Sequence, residues 1–290
     1  MSQHLQAAVL GFPIAHSLSP RIHTQWIAQF GLKGTYVARA VEPNLAALST
    51  VLTELKAEGY NGCNLTVPLK ELVLQLPSYS PSHRAAWIGA ANTVSFFARD
   101  NLENTDLFGV EYSLRAMGAT VAPGCRVLIL GAGGAARAAA AWAHAAGAKL
   151  ILANRSTARA AALCSSMGVS AEILALDDTP SLQRAYAQSS IVIQTTSAEL
   201  DARAELAPLL PTCDLSGVFC LDMVYRRDPV DSHRRATSTQ WSMAAADRGA
   251  TAQDGLSMLV AQAAQAFQIW TGLQPDIAAT LTWLRASLSH

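Results

Sequence analysis

Short apolar runs alternate along the chain with longer segments in which apolar residues recur every three or four positions. In the N-terminal third, the short runs predict strands at 7–10, 35–39, 62–67 and 93–97, and the helical spacing predicts a helix over 45–58. Strands that alternate with helices in this way are typical of βαβ units. We therefore predict an α/β domain in this part of the chain.

The alternation is more regular in the second half. Two predicted strands, Arg126–Leu130 and 149–153, flank a glycine-rich turn and a helix. Two later apolar runs, at 190–194 and 218–221, show no alternation of polar and apolar residues, as expected for parallel strands buried on both faces. This part is predicted to form a doubly wound parallel sheet, followed by an amphipathic helix over 255–270.

Length and composition fit a globular protein that has two domains or one large α/β unit. The chain has 290 residues, of which 51% are hydrophobic and 14% charged, too apolar for a disordered protein. Basic and acidic residues both number 21, so the net charge is zero and nucleic acid is not expected as a partner. The first residues lack a signal-peptide pattern and no apolar run of about 18 residues is present, which predicts a cytoplasmic protein without a membrane partner.

Cysteine and histidine usage bears on metals and disulfides. The five cysteines are scattered and form no C-x-x-C pair, so we expect reduced, mostly buried thiols. No histidine cluster with the spacing of metal ligands is present, so no metal site is predicted. His16 and His23 are instead expected to act as structural hydrogen-bond donors.

The turn after the strand Arg126–Leu130 has the pattern G-x-G-x-x-A, which fits the binding of a dinucleotide. The first glycine permits the tight turn, the second lets the backbone approach a pyrophosphate, and a small third residue allows close packing of helix on strand. Phosphates would then lie against the free N–H groups at the start of the helix. The predicted cofactor-binding residues of this turn are Gly131, Gly133, Gly134 and Ala135. The alternative is a tight strand–helix turn in an alanine-rich chain.

The segment after the next strand, Asn154-Arg155-Ser156-Thr157-Ala158-Arg159, indicates which dinucleotide is bound. It contains no carboxylate to accept hydrogen bonds from the ribose 2′-hydroxyl of NAD. Its two guanidinium groups and hydroxyls suit a 2′-phosphate, so we predict NADP, held by Asn154, Arg155, Ser156 and Arg159, with NAD as the alternative. A purely structural explanation is that Ser156 caps a helix beside exposed arginines.

Four segments of the N-terminal part, at 11–20, 62–70, 89–93 and 103–106, are rich in small polar residues. Each alone is typical of an ordinary loop. Asn64 and Thr66 are two residues apart on a predicted strand and would share a face. Together the four segments suit a polyhydroxylated, carboxylated ligand.

At these positions the sequence resembles the shikimate dehydrogenase family over nearly its whole length. The shared motifs are G-x-P-I-x-H-S-x-S-P from Gly11, N-x-T-x-P-x-K from Asn64, G-A-x-N-T from Gly89, N-T-D from Asn104, G-A-G-G-A-A-R from Gly131, N-R-S from Asn154, D-M-V-Y from Asp222 and G-L-x-M-L-V-x-Q-A-A from Gly255. The resemblance implies that Ser17 and Ser19 bind a substrate carboxylate, that Asn64, Thr66, Asn92 and Gln262 bind its hydroxyls, and that Tyr225 lines the same cleft.

The resemblance also implies a catalytic pair, Lys70 and Asp106. Hydride transfer between a nicotinamide and a ring carbinol or ketone requires a proton donor or acceptor at the reacting oxygen. A lysine beside an aspartate serves as that group. Taken singly, Lys70 could equally be a solvated surface lysine and Asp106 a helix N-cap.

The family fold implies an N-terminal α/β substrate domain and a Rossmann-type nucleotide domain, with the C-terminal helix returning to the first domain. We place the first domain at residues 1–105, completed by 254–290, and the second at 106–253. The expected activity is NADP-dependent interconversion of shikimate, or a close cyclic hydroxy acid, and its 3-dehydro ketone in the shikimate pathway of aromatic amino acid biosynthesis. The protein would act as a monomer or homodimer.

Three departures from the family pattern bear on the substrate: Leu107 where the family usually has glycine, Thr24 after His23 in place of asparagine, and a segment at 226–231 that lacks the usual threonine. Two alternatives therefore stay open. One is a paralogue that oxidises quinate or an amino-substituted shikimate. The other is a non-catalytic protein that senses a metabolite in the same cleft.

Overall fold

A computed structural model of the chain describes residues 4–15, 17–99, 101–197, 209–225 and 238–288. The segment at 226–231 and His16 lie outside these residues. Contacts divide the chain into two compact units, the first formed by Met1–Phe108 with Leu259–Leu284 and the second by Gly109–Met258 with Arg285–His290.

The first unit contains a five-stranded sheet in the order β2-β1-β3-β4-β5. Its strands are β1 (His4–Gly11), β2 (Lys33–Ala40), β3 (Gly62–Leu65), β4 (Thr93–Ser95) and β5 (Leu102–Glu103). The first three are parallel, whereas β4 and β5 pair antiparallel. The helices that begin in this unit are α1 (Ser19–Gln29), α2 (Leu45–Ala57), α3 (Leu69–Leu72), α4 (His83–Ile88), α5 (Asp106–Ala116) and the late α11 (Ile277–Leu288), with a 3-10 turn at Val73–Gln75.

Two predicted strand ends need correction. Strand β3 ends at Leu65, not at residue 67, so Thr66 lies just beyond the strand and does not share a strand face with Asn64. The Thr66 N–H still donates to the Leu10 carbonyl at 2.9 Å, but Pro68 has no N–H with which to continue the pairing. Strand β4 ends at Ser95, and the chain turns away before the exposed Phe97.

The second unit is built on a six-stranded sheet in the order β11-β10-β9-β6-β7-β8, and all its pairings are parallel. The strands are β6 (Arg126–Leu130), β7 (Lys149–Asn154), β8 (Ala171–Ala175), β9 (Ile191–Gln194), β10 (Phe219–Asp222) and β11 (Thr251–Gln253). The helices are α6 (Gly134–Ala145), α7 (Thr157–Met167), α8 (Thr179–Gln188), α9 (Gln240–Asp247) and α10 (Leu256–Thr271), the last of which continues into the first unit. This strand order is that of a Rossmann fold, and the predicted fold class is confirmed.

Burial explains why the apolar runs of the sequence predict the central strands of this sheet. Strands β6 and β9 lie in the middle of the sheet and are almost wholly buried, which matches their unbroken apolar runs. The six alanines that α6 buries are small enough for close packing against the sheet. The switch in strand order falls between β6 and β9, the place where such sheets bind ligands.

Arg285 of α11 binds Asp254, and both residues belong to the second unit. The guanidinium donates two hydrogen bonds, of 2.8 and 2.9 Å, to a carboxylate that is 1% exposed. Of the described residues, 254–258 and 285–288 fall in the second unit.

The five cysteines are all free thiols, with Cys63, Cys164 and Cys220 buried, in agreement with the expectation from sequence. Burial raises the pKa of the Cys220 thiol to about 12. Among the described residues, none of the helices combines the length and the apolar character needed to cross a membrane.

Candidate active site

Lys70 and Asp106 form a largely buried ion pair in the first unit. The Lys70 Nζ to Asp106 Oδ2 distance is 2.6 Å, and the two side chains are 13% and 2% exposed. Lys70 lies on the short helix α3 that follows β3, and Asp106 is the first residue of α5. The backbone N–H of Leu107 donates to the Asn104 side chain at 3.2 Å, so Asn104 caps the helix and the Asp106 carboxylate is left to hold the lysine.

Asn92 holds the other oxygen of this carboxylate. The two N–H groups of its Nδ2 are shared among three acceptors, Asp106 Oδ1 at 3.0 Å, Gln262 Oε1 at 3.1 Å and Thr105 Oγ1 at 2.9 Å, while its Oδ1 accepts from the Thr105 N–H at 2.7 Å. Gln262 in turn donates to the Leu259 carbonyl at 2.7 Å. The predicted residues Asn92, Asp106, Lys70 and Gln262 thus form one hydrogen-bonded chain.

Asn64 is fixed beside this chain by three hydrogen bonds. Its Nδ2 donates to the Asn92 carbonyl at 3.1 Å and to Thr93 Oγ1 at 3.0 Å, and its Oδ1 accepts from the Tyr36 hydroxyl at 2.7 Å. The side chain is almost wholly buried. Its two N–H groups are therefore both used inside the protein.

The remaining predicted substrate residues lie on loops or, for Ser19, at the first position of α1. Ser17 Oγ accepts from the backbone N–H of Ser19 at 3.2 Å, at the start of α1, which places the two serines together. Thr66 approaches the loop after β1 closely: a Cβ atom added to Gly11 would lie 2.3 Å from Thr66 Cγ2, so only glycine fits there. Tyr225 is half-buried in the second unit, three residues after the β10 residue Asp222.

His23 differs from its predicted role. The ring is fully buried, and neither nitrogen has a hydrogen-bond partner among the described residues, so it is not a structural donor. It stacks on the Tyr36 ring with centroids 4.0 Å apart and planes 2° from parallel. Burial lowers the pKa of His23 to about 3, which keeps the ring neutral.

The glycine-rich turn of the second unit has the geometry that a pyrophosphate requires. Gly131 has φ +113°, and an added Cβ would lie 2.4 Å from Thr195 Oγ1, so a larger residue is excluded. Gly133 precedes α6 and no side chain caps that helix, which leaves its first N–H groups available to a ligand. A Cβ on Gly133 would meet only Arg159 Nη2, at 4.0 Å, so the backbone here is open to close approach.

The loop after β7 is the predicted binding site for the adenosine end of the cofactor. Ser156 Oγ accepts from the Arg159 N–H at 3.2 Å and caps α7, and Asn154 Nδ2 donates to the Ser156 carbonyl at 2.9 Å. Ser156 therefore caps α7, as the purely structural explanation of this segment predicts. Arg155 and Arg159 are exposed and the loop has no carboxylate, an arrangement that fits a 2′-phosphate.

Sequence reasoning missed Tyr36 and Thr105 as neighbours of the site. Thr105 lies within the N-T-D motif, so the motif located it, although nothing in the sequence indicated its hydrogen bonds to Asn92. Tyr36 lies on the edge strand β2. It is the one buried residue of a strand whose other residues are exposed or half-buried, and this burial singles it out.

Comparisons with known proteins match segments of both units. A family model described as the shikimate dehydrogenase substrate binding domain matches residues 9–94. Models described as shikimate / quinate 5-dehydrogenase and as the shikimate 5'-dehydrogenase C-terminal domain match residues 116–229 and 255–281.

Individual relatives match over nearly their whole length. The proteins named shikimate dehydrogenase (NADP(+)) of Afipia carboxidovorans and Methanothrix thermoacetophila are 36% and 37% identical to this chain, over 97% and 98% of it and 96% and 97% of their own lengths. The structure of shikimate 5-dehydrogenase from Thermus thermophilus in complex with NADP(H) and shikimate is 33% identical, with a TM-score of 0.77 over 98% of this chain and 99% of that one. The family predicted from the motifs is confirmed, and the chain belongs to the shikimate dehydrogenase family.

Proposed function

We propose that this protein catalyses the reversible NADP-dependent oxidation of shikimate, or a close cyclic hydroxy acid, to its 3-dehydro ketone. The observation that carries the proposal is the buried Lys70–Asp106 pair, held at 2.6 Å within the unit that matches a substrate binding domain. Relatives named shikimate dehydrogenase (NADP(+)) at 36% and 37% identity support the substrate and the cofactor.

Lys70 is the group that exchanges a proton with the reacting oxygen. When bound, the nicotinamide supplies or accepts the hydride at the ring carbon. In the direction of ketone reduction, the Lys70 ammonium donates a proton to the carbonyl oxygen, and in the direction of oxidation the lysine takes it back. Asp106 fixes the position of Nζ, and Asn92 fixes the carboxylate through its second oxygen.

The other substrate contacts are assigned by the family motifs. The Ser17 and Ser19 hydroxyls bind the carboxylate, and Thr66, Asn92 and Gln262 bind ring hydroxyls together with Asn64. The family motifs also assign Tyr225 to the substrate. Because Asn92 already has several partners within the protein, its contact with substrate is a shared hydrogen bond and not a free one.

The cofactor contacts follow the geometry of the second unit. Gly131, Gly133, Gly134 and Ala135 would hold the pyrophosphate of the cofactor, because the turn is open at Gly133 and the start of α6 has no side-chain cap. Arg155 and Arg159 bind the 2′-phosphate, with Asn154 and Ser156 shaping the loop that presents them. This arrangement favours NADP over NAD.

Location and partners are proposed from simpler properties. Five free thiols fit a reducing cytoplasm. A net charge of zero fits a small-molecule partner and not nucleic acid.

A non-catalytic sensor is the less favoured function. A buried ion pair is costly to desolvate, and a protein that only binds a hydroxy acid has no need of a lysine held in this way. The pair is what a proton-transfer step requires.

The test is turnover of shikimate, quinate and amino-shikimate with NADP and NAD, in the native protein and in Lys70→Ala. We expect the native protein to turn over shikimate with NADP, and Lys70→Ala to lower kcat by about 10²- to 10⁴-fold with NADP affinity unchanged. Lys33→Ala, which removes an exposed lysine of the first unit, is the matched control and should keep native kcat. A native protein that binds shikimate without any turnover would overturn the proposal in favour of a sensor.

A further inference from the structure

Tyr36 contacts the candidate substrate site through the side chain of Asn64. The Tyr36 hydroxyl donates to Asn64 Oδ1 at 2.7 Å, and both groups are buried. Tyr36 lies on β2 and Asn64 on β3, and both strands pair with β1, which lies between them. The Tyr36 hydroxyl therefore reaches across β1 to the Asn64 amide. None of the family motifs quoted above includes Tyr36.

The partners of Asn64 fix which way its amide faces. The Asn92 carbonyl, 3.1 Å from Nδ2, can only accept, so the atom opposite it must be the amide nitrogen. The second N–H of Nδ2 is given to Thr93 Oγ1 at 3.0 Å. The amide oxygen takes the Tyr36 hydroxyl proton on one of its two lone pairs. Asn64 therefore has no N–H to offer a ligand, and its single remaining capacity is one lone pair of Oδ1.

The Tyr36 ring is held in place by other aromatic side chains. His23 of α1 stacks on it at 4.0 Å, and Trp270 of α10 lies at 6.3 Å between centroids. His23 in turn packs edge-on against Trp26 at 5.2 Å. A ring confined on these sides presents its hydroxyl in one position, so the hydrogen bond to Asn64 requires little loss of side-chain freedom when substrate binds.

We propose that Tyr36 is a positioning residue of the substrate site, and that it holds Asn64 as a pure hydrogen-bond acceptor that selects substrates with a hydroxyl or amino hydrogen at that point of the ring. The inference rests on the proposed function, because it assigns Asn64 to a substrate hydroxyl. It adds the direction of that hydrogen bond and the residue that controls it. Tyr36 acts through Asn64 and does not itself touch the reacting atoms.

The direction of the bond is tested with substrate analogues. Each non-reacting ring hydroxyl of shikimate is replaced in turn by hydrogen and by fluorine, because fluorine keeps the size and weak acceptor character of a hydroxyl but has no proton to donate. At the hydroxyl that meets Asn64, we expect both replacements to raise KM equally, by about 5- to 50-fold. A fluoro analogue that keeps native KM at every position where the deoxy analogue loses affinity would overturn the acceptor assignment.

The role of Tyr36 is tested with Tyr36→Phe, which keeps the ring and its stacking on His23 and removes only the hydroxyl. We expect KM for shikimate to rise by about 3- to 10-fold, the cost of one net hydrogen bond, with kcat within about twofold of native. Tyr60→Phe is the matched control, since Tyr60 is a buried tyrosine in the core of the same unit and its hydroxyl has no hydrogen bond to a site residue in the described part of the chain. It should keep native KM.

A structural effect is separated from positioning by the double variant. In an Asn64→Ala background, Tyr36→Phe should leave KM unchanged, because the group through which the hydroxyl acts is gone. The inference would be overturned if Tyr36→Phe raised KM equally in the native and Asn64→Ala backgrounds, or if it lowered kcat without changing KM. Turnover of shikimate by the native protein would still support the proposed function in either case. If the native protein turns over no cyclic hydroxy acid, the proposed function is wrong, and this inference, which depends on it, is wrong as well.

Discussion

His23 makes the folded protein sensitive to mild acid. Folding buries the imidazole completely, without a hydrogen-bond partner for either nitrogen among the described residues, and lowers its pKa from 6.5 to about 3. The side chains whose rings pack against it are aromatic: Trp26, Tyr36, Phe267 and Trp270. In the described part of the chain no carboxylate pairs with the ring to stabilise a charged form, so protonation requires the unit to open.

The sign and size follow from linkage. Between the two pKa values the unfolded chain carries a proton on His23 that the folded chain does not, so the free energy of unfolding falls as the pH falls below about 6.5. The slope is about 1.4 kcal/mol per pH unit well below that value. From pH 7 to pH 5 the contribution of this one residue is a loss of about 2 kcal/mol, a large share of the stability of an ordinary domain.

The assay is urea unfolding of the full chain at pH 7 and pH 5, with hydrogen exchange of peptides from α1 and β2 to identify the transition of the first unit. His23→Phe keeps the stacking on Tyr36 and has nothing to titrate. We expect the variant to lose about 2 kcal/mol less than native between the two pH values, and to gain about 1 kcal/mol at pH 7 because two unpartnered polar atoms are removed.

His83→Gln is the control, because His83 is exposed at the start of α4. It should show the native loss of stability between pH 7 and pH 5. An unfolding free energy of His23→Phe that falls by as much as native would show that the imidazole titrates freely in the folded protein, and the reasoning from burial would be wrong.

Three further predictions concern the pair, the cofactor loop and the chain end. Lys70→Ala combined with Asp106→Asn should reduce kcat by much less than the product of the single effects, because the two residues act as one unit, and steady-state kinetics of the three variants checks this. Arg155→Ala should weaken NADP by about one to two decades and NAD far less, as measured by titration calorimetry. Arg285→Met should lower the free energy of unfolding by about 3 to 5 kcal/mol in urea, because it removes the positive charge that pairs with the buried carboxylate of Asp254.

The second unit was predictable from sequence largely because its central strands are buried on both faces. Such strands read as unbroken apolar runs, and the predicted run at 190–194 differs from β9 by one residue. Strands β8 and β11 were missed, since both lie at sheet edges and have half-buried, mixed sequences. Edge strands gain less from burial and leave a weaker pattern.

The first unit was predicted less completely for a similar reason. Strand β5 was missed because it has two residues, too few for periodicity to separate it from a turn, and β4 was predicted two residues too long. Their antiparallel pairing brings the G-A-x-N-T segment next to the N-T-D segment, with Thr93 opposite Glu103. Sequence could identify these segments as polar clusters but had no means of bringing them together.

The candidate site shows what a motif carries and what it leaves out. The motifs named Asn64, Asn92 and Asp106 as separate contributors, each with its own expected role. The structure makes them partners of one another: Asn92 binds the carboxylate of Asp106 through its side chain and the amide of Asn64 through its backbone carbonyl. Replacing any one of the three therefore leaves a buried donor or acceptor unpaired in its neighbour, at a cost of about 1 to 3 kcal/mol. Loss of activity on such a change measures the network as well as the ligand contact, which is why the double variants above, and not single substitutions, decide the role of each residue.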